Sequence, residues 1–345
     1  MNRRATASLV VSVFVFAAFI GPIHSFAADA LDQIAIRSAI AKSLPLIEAG
    51  ARGAMEQRDR CVTCHNGGVP IIALTAARER GFAVDGENLQ KLLQFTADIL
   101  AKNRSRYLAG TGQGGQAVTA GYALWALDAG GRKADATTEV VTEFLLTFQK
   151  NLDHFKLAVS RPPTQESDFT SSYLALRGLK RFGTAAQKDR IAARTAQVKQ
   201  WALKTPAGST EDQVFRLWTL RVADAASDDI ARATQDLLRS QCEDGGWSQL
   251  PDMTSDAYAT ATVLVALHEA GGISASDAQY RRGLQWLLSD QLPDGSWHVQ
   301  TRSKPFQVYF ESGYPHKEDQ FISIAAASWA TTALTFAVPA TSARK

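Results

Sequence analysis

Cysteine is scarce in this chain of 345 residues, at three, and methionine is equally scarce at three. An odd cysteine count excludes a fully paired disulfide framework, so the fold has to rest on an ordinary apolar core. Bases and acids nearly balance, 37 against 34, and no basic footprint argues for a nucleic-acid partner. No apolar run of membrane-spanning length follows the N-terminal segment, so no stable membrane span is expected. Strand-like alternation is nearly absent, and no linker-like stretch divides the chain.

What is present begins with a three-part N-terminus. Arg3 and Arg4 precede an uncharged run over 9–20, then Gly21-Pro22 and the small-residue stretch Ser25-Phe26-Ala27-Ala28. That layout predicts a secretory signal peptide over residues 1–27, and hence a periplasmic or secreted mature protein. Beyond it the chain is rich in the helix formers Ala, Leu, Arg, Gln and Glu. Segments 120–127, 171–179, 259–267 and 325–330 are small and apolar, as in helices buried on all sides, whereas 187–201 and 229–240 carry more charge. Asp168, Asp212, Asp256 and Asp319 stand at expected helix N-caps, and the first three are spaced forty-four residues apart. Capping and the helix dipole explain each one alone, yet as a set they would gather at one mouth.

A short motif occurs twice, fifty residues apart: Gln241-Cys242-Glu243-Asp244-Gly245-Gly246-Trp247 and Gln291-Leu292-Pro293-Asp294-Gly295-Ser296-Trp297. A weaker copy starts at Gln149, with Phe155 in the Trp position. Recurrence at a fixed offset signals a repeat architecture. Asp-Gly supplies a reversal, Gln serves orphan backbone groups, and Trp covers the joint. The pattern resembles the QW repeat of the squalene-cyclase and prenyltransferase (terpenoid cyclase) superfamily, in which it staples the outer helices of an α/α toroid. The resemblance implies an all-α, single-domain toroid over 111–338, preceded by N-terminal helices over 28–110. It also implies an apolar, isoprenoid-like ligand.

The sharpest chemical motif is Cys61-Val62-Thr63-Cys64-His65. Two thiols at this spacing can add to haem vinyl groups while the adjacent His ligates iron, so Cys61, Cys64 and His65 are candidates for a covalent c-type haem. A redox partner would follow. A disulfide, a redox dithiol and half a zinc site are the other readings, zinc being weakest for want of a second Cys/His pair. The segment also resembles a group of exported bacterial proteins that join Cys-x-x-Cys-His to such a toroid.

Alkene-protonating cyclases of the superfamily use an Asp-x-Asp-Asp motif at an inner-helix mouth, and none is present here. Glu166 and Asp168 stand at the corresponding place, flanked by Arg161, and two carboxylates can tune each other's pKa. A long aromatic loop, 302–319, is a candidate pocket lid, with His316 and Glu311 as an acid/base pair and Asp319 at its end. Three functions are therefore open. One is a haem-bearing redox protein with an apolar ligand in its cavity. The second is a cyclase-like enzyme using Asp168, Glu166, Asp319 or His316, and the third is a non-catalytic binding toroid.

Overall fold

The computed structural model describes residues 33–58, 64–305 and 308–339. The expected signal peptide and Cys61 lie outside these residues, and so does the side chain of Cys64. The helices run α1 (Gln33–Gln57), α2 (Val69–Glu79), α3 (Gly86–Lys102), α4 (Arg104–Leu108), α5 (Gln116–Ala129), α6 (Ala136–Thr147), α7 (Asp168–Phe182), α8 (Lys188–Lys204), α9 (Thr210–Val222), α10 (Ser227–Arg239), α11 (Ala257–Glu269), α12 (Ala278–Asp290) and α13 (Gln320–Phe336). No strand forms among the described residues, which hold two isolated bridges, Arg161 with Gln165 and Ser248 with Ser255.

Hydrophobicity sorts the helices into two rings. In α5 every residue over 117–127 is buried, and in α11 every residue over 257–267. Helices apolar all round must be surrounded. By contrast α10 buries Ile230, Ala233, Thr234, Leu237 and Leu238, the i, i+3, i+4, i+7, i+8 stripe of a helix with one wet face. Thus α2, α5, α7, α9, α11 and α13 form a closed inner ring, each packed on its neighbours, with α13 returning to α2. The more polar helices α1, α3, α6, α8, α10 and α12 surround it. The N-terminal segment belongs to this toroid, because it supplies inner helix α2. Close packing needs glycine in places: a Cβ on Gly121 would lie 2.5 Å from Leu174 Cβ.

Both strong repeat copies build the same turn. Trp247 Nε1 donates to Leu237 O at 2.8 Å, and Trp297 Nε1 donates to Leu287 O at 2.9 Å. Gly245 and Gly295 share φ 94°, a conformation that suits glycine. Gln241 Nε2 donates within its turn to Gly245 O and across to Gln279 O on α12, at 2.8 and 2.9 Å. Gln291 Nε2 donates to Gly295 O and to Ala39 O on α1, at 3.0 and 2.9 Å. Each turn therefore bolts one outer helix to the next. In the weaker copy Phe155 is fully buried, and Arg194 of α8 lies over its ring at 4.2 Å while donating to His154 O at 3.0 Å. A guanidinium from the neighbouring helix makes the joint there.

The expected acid caps are partly replaced by serines. Ser167 caps α7 through Phe169 N, and Ser209 caps α9 in a reciprocal box with Asp212. Asp256 caps α11 with its own side chain, accepting from Ala259 N. Asp319 occupies the cap position of α13 without a side-chain cap bond. Along the ring axis Trp125, Trp218 and Trp329 meet with centroids 5.6–5.8 Å apart, and Tyr173 stacks on Trp218 at 5.2 Å. The middle of the toroid is filled.

Candidate functional site at the toroid mouth

The first turns of α7, α9 and α11 meet around one buried carboxyl. Glu211 of α9 accepts from Thr170 Oγ1 of α7 at 2.8 Å and from Tyr258 OH of α11 at 3.0 Å. Burial drives its pKa well above the usual carboxylate value, and the nearby charge of Glu166 pushes the same way, against the two hydroxyl donors. A helix N-terminus favours the ionised form, but desolvation outweighs it here. The site therefore favours the protonated form of Glu211 over the ionised one. Asp256 is raised to about 6 by burial, against bonds from Ala259 N–H and Gln249.

Arg302 seals this cluster. Its Nη2 donates to both Glu166 oxygens at 2.7 and 2.8 Å, and its Nε donates to Gln249 Oε1 at 2.6 Å. Burial raises the Glu166 carboxyl, and the guanidinium opposes that rise. The flanking residues Thr301 and Ser303 face elsewhere, into a cavity of about 250 Å3. Arg161, Pro162 and Thr164 form its second wall, and Phe321 and Ile322 of α13 contribute apolar surface. Tyr309 and Lys304 of the long loop, and His65, also line it. Among the described residues, neither Glu211 nor Tyr258 lines this cavity.

His65 sits in a π-helical turn, Cys64–Gly68, that leads into α2. Single π turns inside helices often mark functional positions. Burial first, and the charge of Arg161 second, lower its pKa to about 4, so the imidazole is neutral at physiological pH. Among the described residues its buried Nδ1 has no hydrogen-bond partner, and neither amide atom of the fully buried Asn66, the next residue, has one. His65 packs edge-on against Phe321 at 6.2 Å.

The structure disperses the other sequence candidates. Asp168 accepts from Leu157 N at 2.7 Å and pairs with His154, which stacks on Trp201. Asp319 accepts from Thr301 N and from His298 Nε2, both at 2.8 Å. The expected His316–Glu311 pair does not form: His316 meets Ser296 Oγ at 2.9 Å and stacks on His298, whereas Glu311 accepts from Tyr309 OH. Among the described residues, Glu166 and the expected cap Asp256 stand in the acid cluster, and His65 lines the cavity. Reading the sequence missed Glu211, which adjoins the capping Asp212; the signal was a Glu-Asp pair in one first turn, of which only one member can cap.

No family model matches the chain, and no curated protein matches it in sequence. Solved structures do match in fold. A type II terpene cyclase, MstE, from Scytonema in its apo form superposes with a TM-score of 0.57 at 15% identity, covering 90% of this chain and 100% of that one. A variant of the same cyclase in complex with its substrate geranylgeranyl dihydroxybenzoate gives 0.55 at 16% identity, over 88% of this chain and 100% of that one. The ent-copalyl diphosphate synthase from Streptomyces platensis gives 0.50 at 18% identity, over 79% of this chain and 50% of that one. The fold is a terpenoid-cyclase-like α/α toroid, which by itself leaves the activity open.

Proposed function

We propose that this protein is a binding toroid on a terpene-cyclase-like scaffold, holding a small isoprenoid-class molecule in the cavity under the 301–319 loop. One observation carries the reading: apolar surface from Phe321, Ile322, Pro162 and Pro305 converges with a few polar groups on one partly open cavity. Ligand sites have that composition, and 250 Å3 lies just below their usual range of about 300–1,000 Å3, which suits a short chain. The fold agrees, since a cyclase of this shape binds a geranylgeranyl substrate. Proton-initiated cyclisation is not part of the proposal. Protonating an alkene requires the acid within reach of the carbon, and neither Glu211 nor Tyr258 is among the described residues that line the cavity. The test is incubation with farnesol followed by extraction and product analysis. Stoichiometric recovery of unchanged farnesol is expected; a cyclised product would overturn the reading.

The placement of His65 favours a second reading, in which the same cavity borders a covalent haem. The residues fit the group in three respects. The imidazole is neutral and lines a largely apolar cavity, the Nδ1 and Asn66 amide atoms lack partners among the described residues, and Arg161 and Lys304 stand in the same lining. Cys61 and Cys64 would carry the thioether bonds and His65 the iron. When bound, haem would supply one-electron transfer to a redox partner, and the chain's role would be to hold the ring and exclude water. A reduced-minus-oxidised spectrum of protein exported from a host with cytochrome c maturation tests this. A c-type spectrum that stays with the denatured chain supports haem; a colourless chain returns the cavity to the isoprenoid-class ligand.

A further inference from the structure

A trough of about 560 Å3 lies between α8 and the C-terminal ends of α7 and α9, away from the cavity under the loop and independent of what that cavity holds. Its α8 wall is built from Lys188, Ile191, Ala192, Thr195, Ala196 and Lys199. That spacing, i, i+3, i+4, i+7, i+8, i+11, is one continuous face over three helical turns, about 17 Å long. Ile191 on it is only partly buried, and Ala192 and Ala196 are exposed. Leu179 and Ala223 extend the apolar floor beyond α8. The trough is larger and more open than the cavity under the loop, so it suits an elongated partner better than an enclosed small molecule.

Three cations line the trough, Lys180, Lys188 and Lys199, against one acid, Asp224. Lys180 already pairs with that acid and donates to Val222 O at 2.7 Å. Lys199 reaches the Asp224 carbonyl at 3.4 Å, and Lys188 has no ion pair among the described residues. Thr195 is a separate sign. It is 8% exposed, and its hydroxyl has no hydrogen-bond partner among the described residues. Thr219, Thr234 and Thr262, buried in other helices, each return theirs to the carbonyl four residues back. The floor thus holds an unmet polar group, which buried positions seldom do.

We infer that this trough receives an acidic amphipathic helix of a partner protein, its apolar face on Ile191 and Leu179 and its carboxylates against Lys188 and Lys199. Helix-in-groove recognition has this composition, apolar anchors flanked by complementary charge. Ala192 and Ala196 let such a helix lie close, since neither side chain extends beyond Cβ. A second copy of this chain does not offer the same face: its helix α10, which opens on Asp228 and Asp229, has its apolar stripe already buried and packs on α9.

Fluorescence anisotropy with two labelled, designed helical peptides tests this. Both carry leucine at i, i+3, i+4 and i+7; one has glutamate at the flanking positions and the other lysine. At low salt the purified protein should bind the glutamate peptide tenfold or more tightly than the lysine peptide, and added salt should narrow the difference. Carbodiimide should couple the bound glutamate peptide to Lys188 or Lys199, as read by peptide mapping. Lys188→Glu combined with Lys199→Glu, and separately Ala196→Trp, which fills the floor without changing charge, should each weaken binding fivefold or more. Both variants alter exposed or half-exposed positions and should keep the wild-type melting temperature. Equal affinity for the two peptides, binding of neither, or coupling only at other lysines overturns the proposal. A dimer in sedimentation that Ala196→Trp dissociates also overturns it, by placing a second copy in the trough.

Discussion

Gln291 and Ala39 stand 252 residues apart, yet the Gln291 amide donates to the Ala39 carbonyl at 2.9 Å. That bond fastens the last outer helix to the first and closes the outer ring. Three further contacts help to close the toroid. Ser43 Oγ meets Thr331 Oγ1 at 2.7 Å, Gln33 Nε2 donates to Ala337 O at 3.0 Å, and Arg80 donates to Val338 O at 2.7 Å. Gln291→Ala should therefore destabilise the fold by about 1–3 kcal/mol, because two carbonyls lose their donor. Denaturant melts read this. A loss of a few tenths of a kcal/mol would show that the other three contacts close the ring without it.

The repeat tryptophans make a second prediction. Trp297 is fully buried and satisfies its indole N–H on Leu287 O. Trp297→Ala should cost about 3–5 kcal/mol, and Trp297→Phe less, since Phe155 already fills the equivalent position in the weaker copy. Denaturant melts of the two variants check the order.

Glu211 predicts a pH dependence of stability. Its folded pKa lies above the unfolded value of 4.5, so the folded state binds the extra proton. Stability is then unaffected below pH 4.5 and declines as the pH rises from there through the folded pKa. Asp256, with a folded value of about 6 against 3.8, contributes a decline of the same sign between those two values. Glu211→Gln should flatten the part that extends to higher pH. An unchanged profile from pH 5 to pH 9 would show that Glu211 is not held neutral.

Arg302 predicts the opposite kind of sensitivity. Its side chain and that of Glu166 are 22% and 13% exposed, so the pair is partly dry. Arg302→Met leaves the Glu166 charge uncompensated and should cost about 1–3 kcal/mol, below the value for a fully buried pair. The loss should be larger at pH 8 than at pH 5, where Glu166 can take up a proton. Hydrogen exchange at the start of α9 should rise in the same variant, as the wall over Glu211 loosens.

Much of the fold was legible in the sequence for a local reason. Asp-Gly-x-Trp dictates its own turn, and the all-apolar inner helices announce that they are enclosed. The first turn of α9 shows where that legibility stops. Asp212 and Glu211 are adjacent acids, and only the tertiary neighbours Thr170 and Tyr258 decide which one is buried. The loop behaves likewise. His316 and Glu311 looked like a pair by proximity in sequence, but Ser296 of the second repeat turn takes His316, and Tyr309 takes Glu311. His65 was singled out by its motif, whereas the cavity it lines is made by residues nearly 100 and 240 positions away.

Blocking the cavity tests the central claim most directly. Ser303 lines it from the loop and is not part of the core, so Ser303→Trp should fill the volume while leaving thermal stability nearly unchanged. Calorimetric titration of the wild-type protein and this variant with the same isoprenoid ligand decides the matter. The account predicts saturable one-to-one binding by the wild type and at least a tenfold weaker affinity in the folded variant. Equal affinity in both would contradict it, and would place the ligand somewhere other than beneath this loop.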